Sequence, residues 1–183
     1  MNTANKLTLL RIILVPIFMA FMMKGGTLYN MIALAIFIVA SATDGIDGYI
    51  ARRYNQITTF GKFVDPLADK LLVSAAFVVL VAQGAMSPWA FMIVLAREFM
   101  VSGVRLVASA EGKVIAASIW GKLKTVSQMI AVIAAIVLIS GFLPCPPQTA
   151  KTIIDILIWI STGLTVFSGA DYLIKNWSLL EMK

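Results

Sequence analysis

Apolar stretches about as long as a bilayer is thick recur six times along this 183-residue chain, over residues 7–23, 31–51, 65–83, 88–108, 119–140 and 153–172. A helix needs roughly 20 mostly apolar residues to cross the hydrocarbon core. The intervals between the stretches are too short to hold a separate water-soluble unit. With 60% hydrophobic and 13% charged residues, against about 45–50% and about 25% in soluble domains, a water-soluble globule is excluded. The sequence therefore predicts an all-α integral membrane protein of six transmembrane helices, a single domain over residues 1–183. Punctuation agrees: Lys24-Gly25-Gly26 closes the first stretch, Gly84 closes the third, and Ser87-Pro88 reads as an N-cap followed by an N1 proline. Gly141 through Pro147 separates the fifth stretch from the sixth. The apolar run behind Lys6 and Arg11 has the charge pattern of a secretion signal, but residues 19–26 offer no convincing small-x-small cleavage site. It is read as a spanning helix.

Charge sets the orientation. Lys70 and Arg97 lie inside stretches; of the other basic residues, Lys6, Arg11, Arg52, Arg53, Lys62, Arg105, Lys113, Lys122, Lys124, Lys175 and Lys183 fall on one side and only Lys24 and Lys151 on the other. By the positive-inside bias, both termini and the loops after the second and fourth helices are expected to be cytoplasmic. Because the basic residues are scattered between apolar stretches, the net charge of +6 points to membrane topology and not to nucleic acid. The chain has no His, which excludes imidazole ligands, Ser-His triads and histidine bases. Its one cysteine, Cys145, can form no disulfide within the chain.

Carboxylates remain. Four of the nine acids, Asp44, Asp47, Asp65 and Asp69, fall within 26 positions. An acid inside a span costs several kcal/mol unless paired or coordinated, so its presence needs a reason. At about 100° per residue, Asp44, Asp47, Gly48 and Ala51 share a face of the second helix, and Asp65 and Asp69 stand one turn apart on the third. Both pairs then lie within two or three turns of the cytoplasmic surface. An all-oxygen cluster suits Mg²⁺ or Mn²⁺, and two such ions would bind a pyrophosphate and neutralise a leaving phosphate. Gly48 and Ala51 leave room for a substrate, and Arg52 at the mouth could reach a phosphate. The plainer alternative is neutralisation of Arg52, Arg53, Lys62 and Lys70 in a cytoplasmic loop. A cation pathway is a third reading, opposed by the confinement of the acids to one end.

These residues carry a resemblance. The string Asp44-x-x-Asp47-Gly48-x-x-Ala51-Arg52, followed by Gly61-x-x-x-Asp65-x-x-x-Asp69, resembles the signature of the CDP-alcohol phosphatidyltransferases at all eight defined positions. The opening Asn5-Lys6-Leu7-Thr8-Leu9-Leu10-Arg11, the stretch from Ala96 to Arg105, and Gly121-Lys122-Leu123-Lys124-Thr125 with Gln128 are similar to the bacterial branch that uses sn-glycerol 3-phosphate as acceptor in phospholipid synthesis. The resemblance implies a membrane enzyme, commonly a homodimer, that displaces CMP from CDP-diacylglycerol with an alcohol, in the bacterial cytoplasmic membrane with its site facing the cytoplasm. It also implies that Asp44 and Asp65 are shared by two metals, that Asp47 binds one, and that Asp69 is both a ligand and the proton acceptor. Gly48 and Arg52 would contact the CDP part, joined by Thr58 and by Asn5 to Thr8 from the first helix; a water-facing loop hydroxyl is the other reading of Thr58.

A phosphate-bearing acceptor calls for Arg or Lys donors. Glu98, Val101, Ser102 and Arg105 share a face of the fourth helix, and Gly121, Lys124, Thr125 and Gln128 a face of the fifth. Arg105, Lys122 and Lys124 are therefore the candidates for the acceptor's phosphate, with ordinary positive flanks as the alternative. Arg97 beside Glu98 is as consistent with a structural ion pair as with a substrate contact. Other acceptors, such as inositol phosphate, serine or phosphatidylglycerol, remain open at this point. Further off lie an aspartate-rich prenyltransferase, which usually needs more spans, and a small cation carrier.

Overall fold

The computed structural model describes residues 3–53, 59–110, 112–113, 115 and 118–177, with backbone only at 3–5, 44–53, 59–63, 65–66, 69 and 110. All regular structure among them is helical: α1 (Thr3–Lys24), α2 (Thr27–Arg53), α3 (Thr59–Ala82), α4 (Pro88–Ala110), α5 (Ile119–Ile139) and α6 (Pro147–Lys175). The helices match the six apolar stretches, and all but α5 run past them at one end or both, because polar turns continue a helix beyond its apolar length. The clearest case is α6, which begins at Pro147 and not near 153. Pro147 sits at the helix start, where a missing N–H costs nothing and φ is already helical.

Helix ends follow from local chemistry. Gly25 and Gly26 have φ of 70° and 88°, a left-handed conformation that lets α1 stop and α2 turn back at once. Ser118 caps α5, its Oγ accepting from the Gly121 N–H at 3.0 Å. Two ties close the far end of the bundle: Gln83 Nε2 donates to the Met22 carbonyl at 2.9 Å, and Thr27 Oγ1 to the Ser140 carbonyl at 2.7 Å.

The burial pattern is that of a protein turned toward lipid. Ile13, Val39, Val126, Ile130, Ile156 and Val166 are exposed on the helix exteriors, while Thr8, Arg11, Asn30, Arg97, Lys124, Gln128, Ser161, Thr162, Thr165 and Ser168 are buried. Large apolar faces left outside and polar groups kept inside are unfavourable in water and required in hydrocarbon. Over the described residues, α1 from Lys6, α5 and α6 are long and apolar enough to cross a membrane; the apolar parts of α2 and α3, Thr27–Thr43 and Lys70–Ala82, are shorter.

Packing groups α1 with α2 and α3, α5 with α6 and α2, and α4 with α6 and α3. Phe18 and Phe37 meet at 5.7 Å between ring centroids in the main core, with Phe77, Leu80, Ile136 and Ile158 also fully buried. On the inward face of α6, Ser161 and Thr162 donate to the Ile158 carbonyl and Thr165 to the Ser161 carbonyl. Hydroxyls satisfied within their own helix let α5 approach closely.

Candidate active site

Three helices contribute to a cavity of about 400 Å³ lined by Lys70 of α3, Arg97, Glu98, Val101, Ser102 and Arg105 of α4, and Gly121, Lys122, Lys124, Thr125 and Val126 of α5. Among the described residues, five cations face it and one acid, Glu98. Helical spacing brings the α4 residues to one wall, since positions 98, 101, 102 and 105 recur at steps of three and four. The α5 wall lies in the first two turns of that helix, at the positive end of its dipole.

Glu98 holds the centre together. Its Oε1 accepts from Lys124 Nζ at 2.5 Å and from Arg97 Nη1 at 3.1 Å, with all three side chains largely buried. Arg97 also donates from Nη2 to Ser168 Oγ of α6 at 2.8 Å, while its Nε is buried without a hydrogen-bond partner. Ser102 Oγ donates to the Glu98 carbonyl at 2.6 Å and accepts from Lys70 Nζ. At the exposed edge, Arg105 Nε lies 3.4 Å from the Tyr172 hydroxyl and the guanidinium 5.6 Å from the Tyr172 ring, a cation–π geometry that steers a long side chain. Among the described residues the cations outnumber the acids here, an electrostatic setting that attracts anions.

All three residues assigned from sequence to the acceptor's phosphate line this cavity: Arg105 and Lys122 exposed, Lys124 buried and ion-paired. Sequence reasoning did not assign Lys70 or Arg97 to it. Both were legible as charges inside apolar stretches, the signal for an inward-facing group. Arg97, for which the sequence left an ion pair with Glu98 and a substrate contact equally open, makes that ion pair and lines the cavity as well. Arg11, counted from sequence as a flanking cytoplasmic charge, is instead buried, its Nε donating to the Ala40 carbonyl of α2 at 3.2 Å. Thr8 is buried in α1.

The acidic motif occupies the neighbouring helix segments. Asp44, Asp47, Gly48 and Arg52 lie in the last three turns of α2, and Asp65 and Asp69 in the first three of α3; the two helices are packed together. Lys70, which lines the cavity, directly follows Asp69. The side chains of Asn5, Asp44, Asp47, Gly48, Arg52, Asp65 and Asp69, and the whole of Thr58, lie outside the described residues.

The chain is similar to named bacterial proteins over nearly all of its length. A CDP-diacylglycerol–glycerol-3-phosphate 3-phosphatidyltransferase of Bacillus subtilis is 42% identical over 98% of this chain and 97% of its own. One of the same name from Rickettsia typhi is 36% identical over 93% and 94%. A probable phosphatidylglycerophosphate synthase of Mycobacterium tuberculosis is 38% identical over 95% of this chain and 81% of its own. The family model for CDP-alcohol phosphatidyltransferase matches residues 1–167, from the first helix through the cavity and into α6. With the aspartate motif, the basic cavity and near full-length relatives in agreement, this multi-pass membrane protein belongs to the CDP-alcohol phosphatidyltransferase family.

Proposed function

We propose that the chain transfers the phosphatidyl group of CDP-diacylglycerol to sn-glycerol 3-phosphate, giving phosphatidylglycerophosphate and CMP, a step of phospholipid synthesis. The observation that carries the choice of acceptor is the cavity, lined among the described residues by Lys70, Arg97, Arg105, Lys122 and Lys124, that lies beside the aspartate-bearing helices. It favours an acceptor alcohol that brings its own phosphate over serine. The names of the relatives point to the same acceptor.

The family is generally dependent on divalent metal. Four carboxylates on two packed helices, in a chain without His, form an oxygen donor set that fits Mg²⁺ or Mn²⁺. In this reading Asp44, Asp47, Asp65 and Asp69 hold two ions. Bound there, the metal charge supplies stabilisation of the pyrophosphate and of the departing CMP. Asn5, Thr8, Gly48, Arg52 and Thr58 hold the CDP part. Arg105, Lys122 and Lys124, with Arg97 and Lys70, grip the acceptor's phosphate and so orient its hydroxyl. Asp69 takes the hydroxyl proton. The freed oxygen attacks the phosphorus bearing diacylglycerol, and the bond from that phosphorus to CMP breaks.

The reading includes six membrane spans in one domain over residues 1–183, both termini cytoplasmic, a site facing the cytoplasm in the bacterial cytoplasmic membrane, and a homodimer. It is tested on purified protein in detergent. CMP release from CDP-diacylglycerol is followed with glycerol 3-phosphate, inositol phosphate, serine and phosphatidylglycerol, with and without EDTA. Release specific to glycerol 3-phosphate and lost in EDTA is expected. Turnover with serine alone, or undiminished by chelator, refutes it.

A further inference from the structure

We infer that Gly169, with its neighbour Ser168, is a positioning residue for the acceptor: α6 leaves a gap there through which the Arg97 side chain reaches the cavity. The inference rests on the cavity being the site of the acceptor's phosphate. Arg97 starts on α4 and must pass the surface of α6. A Cβ added at Gly169 would lie 2.9 Å from Arg97 Cγ, with Nε at 3.8 Å and Cδ at 3.9 Å. The first distance is shorter than real Cβ atoms show. Because Cγ sits near the root of the side chain, relief requires a new rotamer for the whole arginine, which would carry the guanidinium away from its place.

The preceding residue completes the seat. Ser168 Oγ accepts from Arg97 Nη2 at 2.8 Å, and Glu98 Oε1 accepts from Nη1 at 3.1 Å, so both ends of the fork are fixed. Two local costs are accepted on this one side chain. A glycine within a helix is less favourable than alanine, and the Arg97 Nε is buried with no hydrogen-bond partner. Neither cost is relieved within α6 itself, and both are accounted for if the placement of the Nη atoms is what matters. Gly163, two turns earlier on α6, has nothing within 4 Å of an added Cβ. It provides the matched comparison of the same substitution in the same helix. α6 contributes no residue to the cavity lining, yet on this inference it sets the acceptor affinity through Arg97.

Steady-state kinetics on the full chain in detergent, with each substrate varied, test it. Gly169→Ala is expected to raise the KM for glycerol 3-phosphate about ten- to a hundred-fold, the loss expected when a charge-assisted contact is misplaced, while leaving the KM for CDP-diacylglycerol unchanged. Gly163→Ala should change neither. Arg97→Ala removes Cγ, so it should raise the acceptor KM at least as far, and adding Gly169→Ala to it should do nothing more. Effects that multiply would show that Gly169 does not act through Arg97 and would overturn the inference. If Gly169→Ala alone fails to fold, the double variant lacks the clash and is expected to fold with the KM of Arg97→Ala; a double variant equally unfolded overturns it. An unchanged acceptor KM in Arg97→Ala, with raised values in Arg105→Ala and Lys124→Ala, also overturns it and leaves the site reading intact. If none of these three raises the acceptor KM, the site reading itself fails.

Discussion

Replacing Glu98 with Gln removes the one acid that lines the cavity among the described residues, while keeping its shape and an oxygen that still accepts hydrogen bonds. Glu98 faces Lys124 at 2.5 Å and Arg97 at 3.1 Å. At an effective dielectric of about 20 these pairs amount to about 7 and about 5 kcal/mol of Coulomb attraction, before the desolvation of three buried groups is subtracted. Removing one partner of a buried ion pair typically costs about 3–5 kcal/mol, and the retained amide oxygen brings the expected destabilisation to about 2–3 kcal/mol. For a protein of this size that corresponds to a fall in Tm of roughly 4–12 °C. With that carboxylate charge gone, Lys124 and Arg97 become better partners for an incoming phosphate. Glycerol 3-phosphate should therefore raise the Tm of Glu98→Gln by more than it raises that of the unsubstituted protein. Thermal unfolding in detergent with and without glycerol 3-phosphate gives both numbers. An unchanged Tm, or equal stabilisation of the two proteins by ligand, would refute the reasoning that Glu98 neutralises an anion site.

Asp44→Asn, Asp47→Asn and Asp65→Asn should each lose most CMP release while retaining the unfolding transition of the parent; near-parental turnover in any one of them removes that residue from the donor set. Arg11→Ala should lower stability by about 2–4 kcal/mol, through the lost bond to the Ala40 carbonyl and a hole between α1 and α2, whereas Lys6→Ala on the exposed side of α1 should stay within about 0.5 kcal/mol. Reporters fused after Lys183 should be cytoplasmic and Cys145 should react with an impermeant thiol reagent from outside; a periplasmic carboxyl terminus would reverse the orientation.

How much of this was written in the sequence depends on whether the signal was local. Runs of apolar residues gave the order and placement of all six helices, and glycines marked the turn at Gly25-Gly26. Helix ends were less legible because hydropathy reports bilayer thickness, not hydrogen bonding, so the polar first turns of α1, α2, α3 and α6 were read as loops. The walls of the cavity were visible as polar stripes at helical spacing, 98-101-102-105 on α4 and 121-124-125 on α5. Residues whose roles depend on another helix were not visible. Counting charges by membrane side could not tell that Arg11 turns inward to α2 while Lys6 stays outside. Nor does any periodicity in α6 mark Gly169 as the counterpart of an arginine 72 positions earlier, since only the packing of α4 on α6 brings them together.

Lys70 stands immediately after Asp69 on α3 and bonds to Ser102 across the helix boundary. One turn of a single helix thus serves both halves of the proposed reaction, and a one-residue shift in its register would rotate both side chains by about 100° at once. On the proposed reaction, a change of acceptor alcohol would fall to α4 and α5, which line the cavity without carrying the aspartate motif, while α3 is held by both tasks.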